Sequence, residues 1–517
     1  MFYRSTVWLL LVCVASISSD APAAVAQAAV STVVLIKSGS LQGLALNGGG
    51  VVFNGIPYAA PPVGALRWQE PGPVKGWTGV RDATRISHAC MQPNQMWNAA
   101  PAANSSEDCL YINVWTPRPD SSAHLPVMVW IHGGGFTGGA GNESLFNGES
   151  FVARGVVLVT LNYRLGLFGF YSHPALTSSS RSRASGNYGL LDQNAALHWV
   201  RENIAQFGGD PGAITVFGQS AGGGSVIALL ASPLTRGIVR SAIVESGAML
   251  RREPMTSRKV AEEWGTRFAG QNTLAQLRAV PAEELLNRWD AFARSDRAIQ
   301  AGPIIDGYVL TDDPGAVFAR HAEPAIPLII GNNSREGFGT MPDAGVAGAV
   351  KAFYGADASA VLAEYAAPDV VLGSPGAQWL TDTTFRCGAV ITAARHDAGG
   401  APVYAYQFEQ PLPGREAQGA AHSYELPFVF GNLSKNGVLG GAFSAPDHAL
   451  SDLMVTYWTQ FAKTGDPNGA GVPKWPRFDA HARAFVHFAT MYDGNVKQDR
   501  GLRQNACRAF EKRVSAP

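Results

Sequence analysis

The chain has few of the features that mark binders of metal, nucleic acid or membrane. Its 517 residues include five cysteines and eleven histidines, and none of these falls in the short Cys/His spacings that hold zinc. No metal and no cofactor is therefore expected. Charged residues make up only 15%, and 40 Lys and Arg balance 40 Asp and Glu. Without a basic or acidic block, that balance excludes the electrostatic footprint of a nucleic-acid partner. Internal repeats and low-complexity linkers are also missing, which excludes solenoids and modular arrays. The one long apolar run is too short for a comfortable membrane span.

That run lies near the start. Arg4 precedes VWLLLVCVASIS, and A-x-A sites follow at Ala24–Ala26 and Ala26–Ala28. This is the layout of an export signal, expected over residues 1–28. Cys13 follows Val12 rather than a small residue, which argues against a lipid anchor. A secreted or periplasmic protein is expected, with residues 29–517 folded as one domain. Its remaining cysteines, Cys90, Cys109, Cys387 and Cys507, form an even set, enough for two disulfides in an oxidising compartment.

What the chain does have is apolar content, 46% hydrophobic residues, sufficient for a large core. Strand-like runs such as PVMVWI, GVVLVTL, IPLIIGNN and PVYAYQF alternate with helical stretches such as LLDQNAALHWVRENIAQFG. The alternation predicts an α/β fold with a largely parallel sheet covered on both faces. In 251–300, Val260, Trp264 and Phe268 recur at helical spacing, which predicts an amphipathic surface helix with these three on its buried face rather than a dedicated lid. Residues 342–366 read alike.

The most informative segment is FGGDPGAITVFGQSAGG, residues 207–223. An apolar strand runs into Gly218-Gln219-Ser220-Ala221-Gly222, and a small-residue helix follows. A serine on such a tight strand-to-helix turn is a nucleophile elbow: its Oγ is exposed, and glycines flank it where larger residues would collide. The amide of Ala221 opens the helix, where an unpaired N–H favours a developing oxyanion. Upstream, PVMVWI leads into His132-Gly133-Gly134-Gly135-Phe136, whose glycines can present further amides. A phosphate loop would need Gly-Lys-Ser/Thr next, and Phe136-Thr137 follows instead. Gly134, Gly135 and Ala221 are the expected oxyanion donors.

The elbow resembles the active-serine signature of the type-B carboxylesterase and cholinesterase family, and EDCLYINVW at 107–115 resembles its second signature. FNGIPYAAPPVGALRW, NYRLGLFGF and YWTQFAKTGDPNG extend the likeness over most of the chain. The resemblance implies an α/β-hydrolase fold and hydrolysis of a small-molecule ester. It also implies ion pairs Arg67–Glu107 and Arg164–Asp192, and disulfides Cys90–Cys109 and Cys387–Cys507.

A serine hydroxyl needs an imidazole to take its proton and a carboxylate to hold that imidazole. In α/β hydrolases both follow the serine in chain order, and histidines 396, 422, 448, 481 and 487 are candidates. His422 is best placed, beyond VYAYQF and before SYELPFVF, and it matches the family's His ahead of E-L-P-x-V-F. For the acid, Glu336 follows the buried strand IPLIIGNN and matches the family's glutamate; Asp313 and Asp382 are the alternatives. Ser246, after the strand IVE, is expected near the three.

Met96-Trp97-Asn98 resembles the stretch that carries the choline-binding tryptophan of cholinesterases. Gln219, however, stands where those enzymes have a glutamate, and Gly339 and Thr340 where they have aromatics. One cation–π contact is too weak to replace a missing carboxylate. A serine carboxylesterase for neutral short- to medium-chain or aryl esters is expected, with Trp97 as an apolar wall. A cholinesterase-like or lipase-like specialist and a non-catalytic binding relative are the alternatives. The oligomeric state is left open.

Overall fold

The computed structural model describes residues 32–247, 255–296, 298–299, 301–337, 339, 341–434 and 436–514. The expected export signal lies outside these residues, as does Thr340.

Eleven strands among the described residues form one sheet: β1 (Leu44–Ala45), β2 (Val51–Pro57), β3 (Tyr111–Thr116), β4 (Leu125–Ile131), β5 (Val157–Leu161), β6 (Gly209–Gln219), β7 (Ser241–Glu245), β8 (Leu328–Asn333), β9 (Val403–Phe408), β10 (Ala484–Phe488) and β11 (Val496–Arg500). Their spatial order is β11-β10-β9-β8-β7-β6-β4-β5-β3-β2-β1. The run from β10 to β5 is parallel, and the strands beyond both of its ends are antiparallel. β6 lies inside the parallel run, pairing β4 on one side and β7 on the other.

Both faces are covered by helices: α1 (Tyr188–Asn203), α2 (Ala221–Ala231), α3 (Arg258–Ala269), α4 (Ala282–Ser295), α5 (Asp343–Tyr354), α6 (Cys387–Ala398), α7 (Leu426–Phe430), α8 (Ala445–Thr464) and α9 (Gln504–Val514). The two-residue period of the strands explains how their side chains divide. Val127, Val129 and Ile131 of β4, with Ile214 and Val216 of β6, pack under α1 and α2. The alternate residues Met128, Trp130 and Phe217 face the aromatic layer of α7 and α8, where Phe430, Trp458 and Phe461 lie. Each such buried side chain contributes about 1.5–3 kcal/mol. A box between Ser444 and Asp447 caps the start of α8, and Gly465 in the left-handed region ends it.

The helices of 251–300 form a satellite layer with Trp68 and Tyr171, but the face of α3 differs from the expectation. Ala261, Gly265 and Ala269 are its buried residues, and Val260 is exposed. The physical reason is a close backbone approach: a Cβ on Gly265 would collide with the Ser172 carbonyl. Small residues four apart form the seam, Trp264 and Phe268 flank it, and Val260 is turned away.

Candidate active site

β6 delivers Ser220 at its end. The serine has φ +57° and ψ −122°, a region that L-residues rarely adopt. The surroundings hold this turn. The Ser220 amide donates to the Glu245 carbonyl at 2.8 Å, a Cβ on Gly218 would lie 2.7 Å from the Ile131 carbonyl oxygen, and one on Gly222 would overlap that same oxygen. The flanking glycines are thus required by contact with β4.

The next parallel strands supply what stands beside the serine. Glu336 follows β8 and is fully buried. Its Oε2 accepts from His422 Nδ1 at 2.5 Å, and its Oε1 accepts from the Asn333 amide at 2.5 Å and from the Ser246 hydroxyl. The Glu336 amide donates to Thr381 Oγ1 at 3.0 Å. This fixes the carboxylate on all sides. The carboxylate in turn fixes the tautomer of His422, whose proton sits on Nδ1 and whose Nε2 offers its lone pair. That Nε2 lies 3.3 Å from Gln219 Nε2, the side chain adjacent to Ser220. Phe385 stacks on the imidazole at 4.9 Å between ring centroids. It reaches there because Asp382–Arg386 forms a wide helical turn of π type, which rotates one residue out of α-helical register.

The glycine loop wraps the serine from the β4 side. A Cβ on Gly133 would lie 3.1 Å from Ser220 Cβ. Gly134, Gly135 and Phe136 have φ of +105°, +63° and +61°, so the chain turns sharply there. Among the described residues, the amides of Gly134, Gly135 and Ala221 have no protein acceptor. His132 braces the loop: its Nδ1–H donates to the Gly133 carbonyl at 2.8 Å. Burial pushes its pKa down to about 4, so it stays neutral.

Trp97 lies against this loop, 2.9 Å from where a Cβ on Gly134 would sit, and is 43% exposed. Its segment is tied down by the Cys90–Cys109 disulfide and by Gln92, which exchanges hydrogen bonds with Gly139 at 2.8 and 3.0 Å. The second disulfide joins Cys387 of α6 to Cys507 of α9. Both ion pairs form as well. Arg67 grips Glu107 at 2.6 and 2.7 Å and two carbonyls of 277–280, and Arg164 grips Asp192 at 2.7 Å through two nitrogens.

Four of the other candidates are occupied elsewhere. Asp313 caps a helix, Asp382 pairs with Arg386 and Arg503, His396 with Glu323, and His487 with Glu409. Sequence reading passed over Gln92, Phe385, Glu245 and Glu425. The last two carried a signal, a lone acid inside an apolar run, SAIVES and SYELPFVF. Burial pushes the Glu425 carboxyl up to about 7, and Glu336 adds to the shift. Burial also raises Glu245 well above the usual range.

A profile of the Carboxylesterase family matches residues 30–357 and 373–510. The chain is 37% identical to the fumonisin B1 esterase of Sphingopyxis macrogoltabida over 459 residues, 86% of this chain and 84% of that protein. It is 38% identical to the para-nitrobenzyl esterase of Bacillus subtilis over 480 residues, 87% and 93% of the two chains. A solved PNB esterase superposes with a TM-score of 0.80 at 35% identity, covering 93% of this chain and 99% of that one.

Proposed function

Because the chain belongs to the carboxylesterase family, with the α/β-hydrolase fold of its solved relatives and carboxylic ester hydrolysis as its activity, we propose that it works as a serine esterase through Ser220, His422 and Glu336. The observation that carries the reading is the 2.5 Å contact between Glu336 Oε2 and His422 Nδ1, with the other ring nitrogen, Nε2, 3.3 Å from the side chain of the elbow residue Gln219 beside Ser220.

In this reading Ser220 Oγ attacks the ester carbonyl carbon as His422 Nε2 takes its proton. Glu336 stabilises the resulting imidazolium without itself becoming protonated. The carbonyl oxygen, now negative, is received by the amides of Gly134, Gly135 and Ala221, each such donor being worth about 3 kcal/mol of barrier. His422 returns the proton to the departing alcohol, and a water that it deprotonates then frees the acid from Ser220.

The substrate we assign is a neutral short- to medium-chain or aryl ester. Gln219 supports this: an uncharged amide stands where a cation site would place a carboxylate, and Trp97 offers an apolar wall by the glycine loop. The para-nitrobenzyl esterase is, by its name, an esterase for para-nitrobenzyl esters. Residues 1–28 are read as an export signal and residues 29–517 as one secreted or periplasmic domain, with the two disulfides in support. The test is a panel of esters varied in acyl length, alcohol bulk and charge, with a serine-directed fluorophosphonate probe and peptide mapping. Labelling at a residue other than Ser220, or turnover that survives full labelling, would refute the mechanism.

A further inference from the structure

Behind Glu336 lie two carboxyls that the chemistry above does not use. Glu245 ends β7, one residue before Ser246, on the strand face that meets the aromatic layer of Tyr406 and Trp458. Glu425 comes three residues after His422 and immediately precedes α7. Both are 0% exposed. Each has one oxygen held by a neutral donor: Trp458 Nε1 donates to Glu245 Oε1 at 2.7 Å, and Asn333 Nδ2 donates to Glu425 Oε2 at 2.5 Å. The other oxygen of each, Glu245 Oε2 and Glu425 Oε1, is buried with no hydrogen-bond partner among the described residues. The Tyr406 hydroxyl, whose ionisation both carboxyls and Glu336 oppose, is unpartnered too.

The charged and titratable groups that bear on the pair are Glu336, His422 and Tyr406. Burial disfavours charge on both Glu245 and Glu425, and a neighbouring carboxylate, Glu425 for the one and Glu336 for the other, adds to it. We propose that Glu245 and Glu425 hold one proton between them in the resting protein, so that the pair carries a single negative charge, and that Glu425 is a positioning residue that supports the basicity of His422. The proton resides mainly on Glu245, which has only the indole N–H to stabilise its charged form. Glu425, pushed up only to about 7, carries the charge from that pH upward and acts through Asn333, whose side chain it accepts from and whose backbone amide holds Glu336. A negative charge there favours the imidazolium that forms when Nε2 takes the serine proton.

The kinetic part of this inference rests on the serine-esterase reading; the proton does not. Infrared difference spectra of the full-length protein between wild type and Glu245→Gln are expected to show the C=O band of a protonated carboxylic acid at neutral pH, lost in the variant. Glu245→Met serves where Glu245→Gln does not fold. The acid limb of kcat/KM against pH is expected to stay in place in Glu245→Gln, where a neutral side chain replaces a neutral one and Glu425 is unchanged. It is expected to move down by about half a pH unit or more in the double variant Glu245→Gln/Glu425→Gln, where none is left. No acid band in the difference spectrum, a limb that already moves down in Glu245→Gln, or a limb unmoved in the double variant would each overturn the proposal. Failure to hydrolyse any ester would instead sink the esterase mechanism, while the infrared band would still decide the shared proton.

Discussion

Gln219 and His422 face one another across the elbow, with amide Nε2 and imidazole Nε2 3.3 Å apart and the same amide donating to Ser423 Oγ at 3.0 Å. Since Nδ1 is committed to Glu336, the amide can donate only to the neutral imidazole. The Gln219 amide is thus placed as a donor to Nε2 of the neutral ring.

Replacing Gln219 with glutamate exchanges that donor for a charged acceptor. A carboxylate at this distance stabilises the imidazolium and raises the pKa of His422. Since turnover needs the neutral base, Gln219→Glu should move the acid limb of kcat/KM up by about one pH unit. It should also improve cationic esters relative to neutral ones several-fold. An acid limb unchanged or displaced downward in a pH-rate profile would contradict this account.

Loss of the three proposed catalytic groups should be unequal. Ser220→Ala and His422→Ala each remove the nucleophilic step, so kcat should fall by similar factors, about 10⁵–10⁶. Glu336→Gln leaves an amide that no longer enforces the tautomer, and about 10⁴ is expected. Circular dichroism should show all three folded. Near wild-type turnover in purified Ser220→Ala would end the serine mechanism.

The elbow and the glycine loop were legible because glycine and serine at fixed offsets are demanded by local geometry, as the collisions at Gly218 and Gly222 illustrate. His422 and Glu336 were legible from chain order and the strands before them. Glu245 and Glu425 showed only as lone acids inside apolar runs, and their burial was not legible, since it is decided by which strand face meets which helix. Phe385 lay further out of reach, because it stacks on His422 only through a π-type turn that no spacing announces. Val260 was misread for a related reason: hydrophobicity suggested one face of α3, whereas the Gly265 contact with Ser172 fixed another.

The two disulfides should matter differently. Cys90–Cys109 spans 19 residues and Cys387–Cys507 spans 120, so on loop entropy their removal should cost about 3 and about 5 kcal/mol. The short bridge also frames Trp97 and Gln92, so Cys90→Ala/Cys109→Ala should raise KM for aryl esters. Cys387→Ala/Cys507→Ala should lower thermal stability with KM unchanged. Non-reducing peptide maps showing crossed pairs or free thiols would refute the assignment, and melting curves with ester kinetics would separate the two roles.

Trp97 decides between an apolar and a cationic alcohol site. Its ring lies on Gly134 and Gly138, close to where the ester carbonyl would be received, and its exposed remainder is open to a substrate. An indole face can hold a quaternary ammonium by about 0.5–2 kcal/mol. The same face also buries a neutral aryl group, whose apolar area is worth about 25 cal/mol per Å². With Gln219 uncharged, no carboxylate adds to the cationic case, so the apolar contribution governs. Trp97→Ala should therefore reduce kcat/KM for aryl and benzyl esters about ten-fold, chiefly through KM, and change small methyl esters little. Choline-type esters should show no advantage over neutral esters of equal acyl length in the wild type. If they were preferred, and Trp97→Ala abolished that preference, the indole would be a cation site and the neutral-ester assignment would fall.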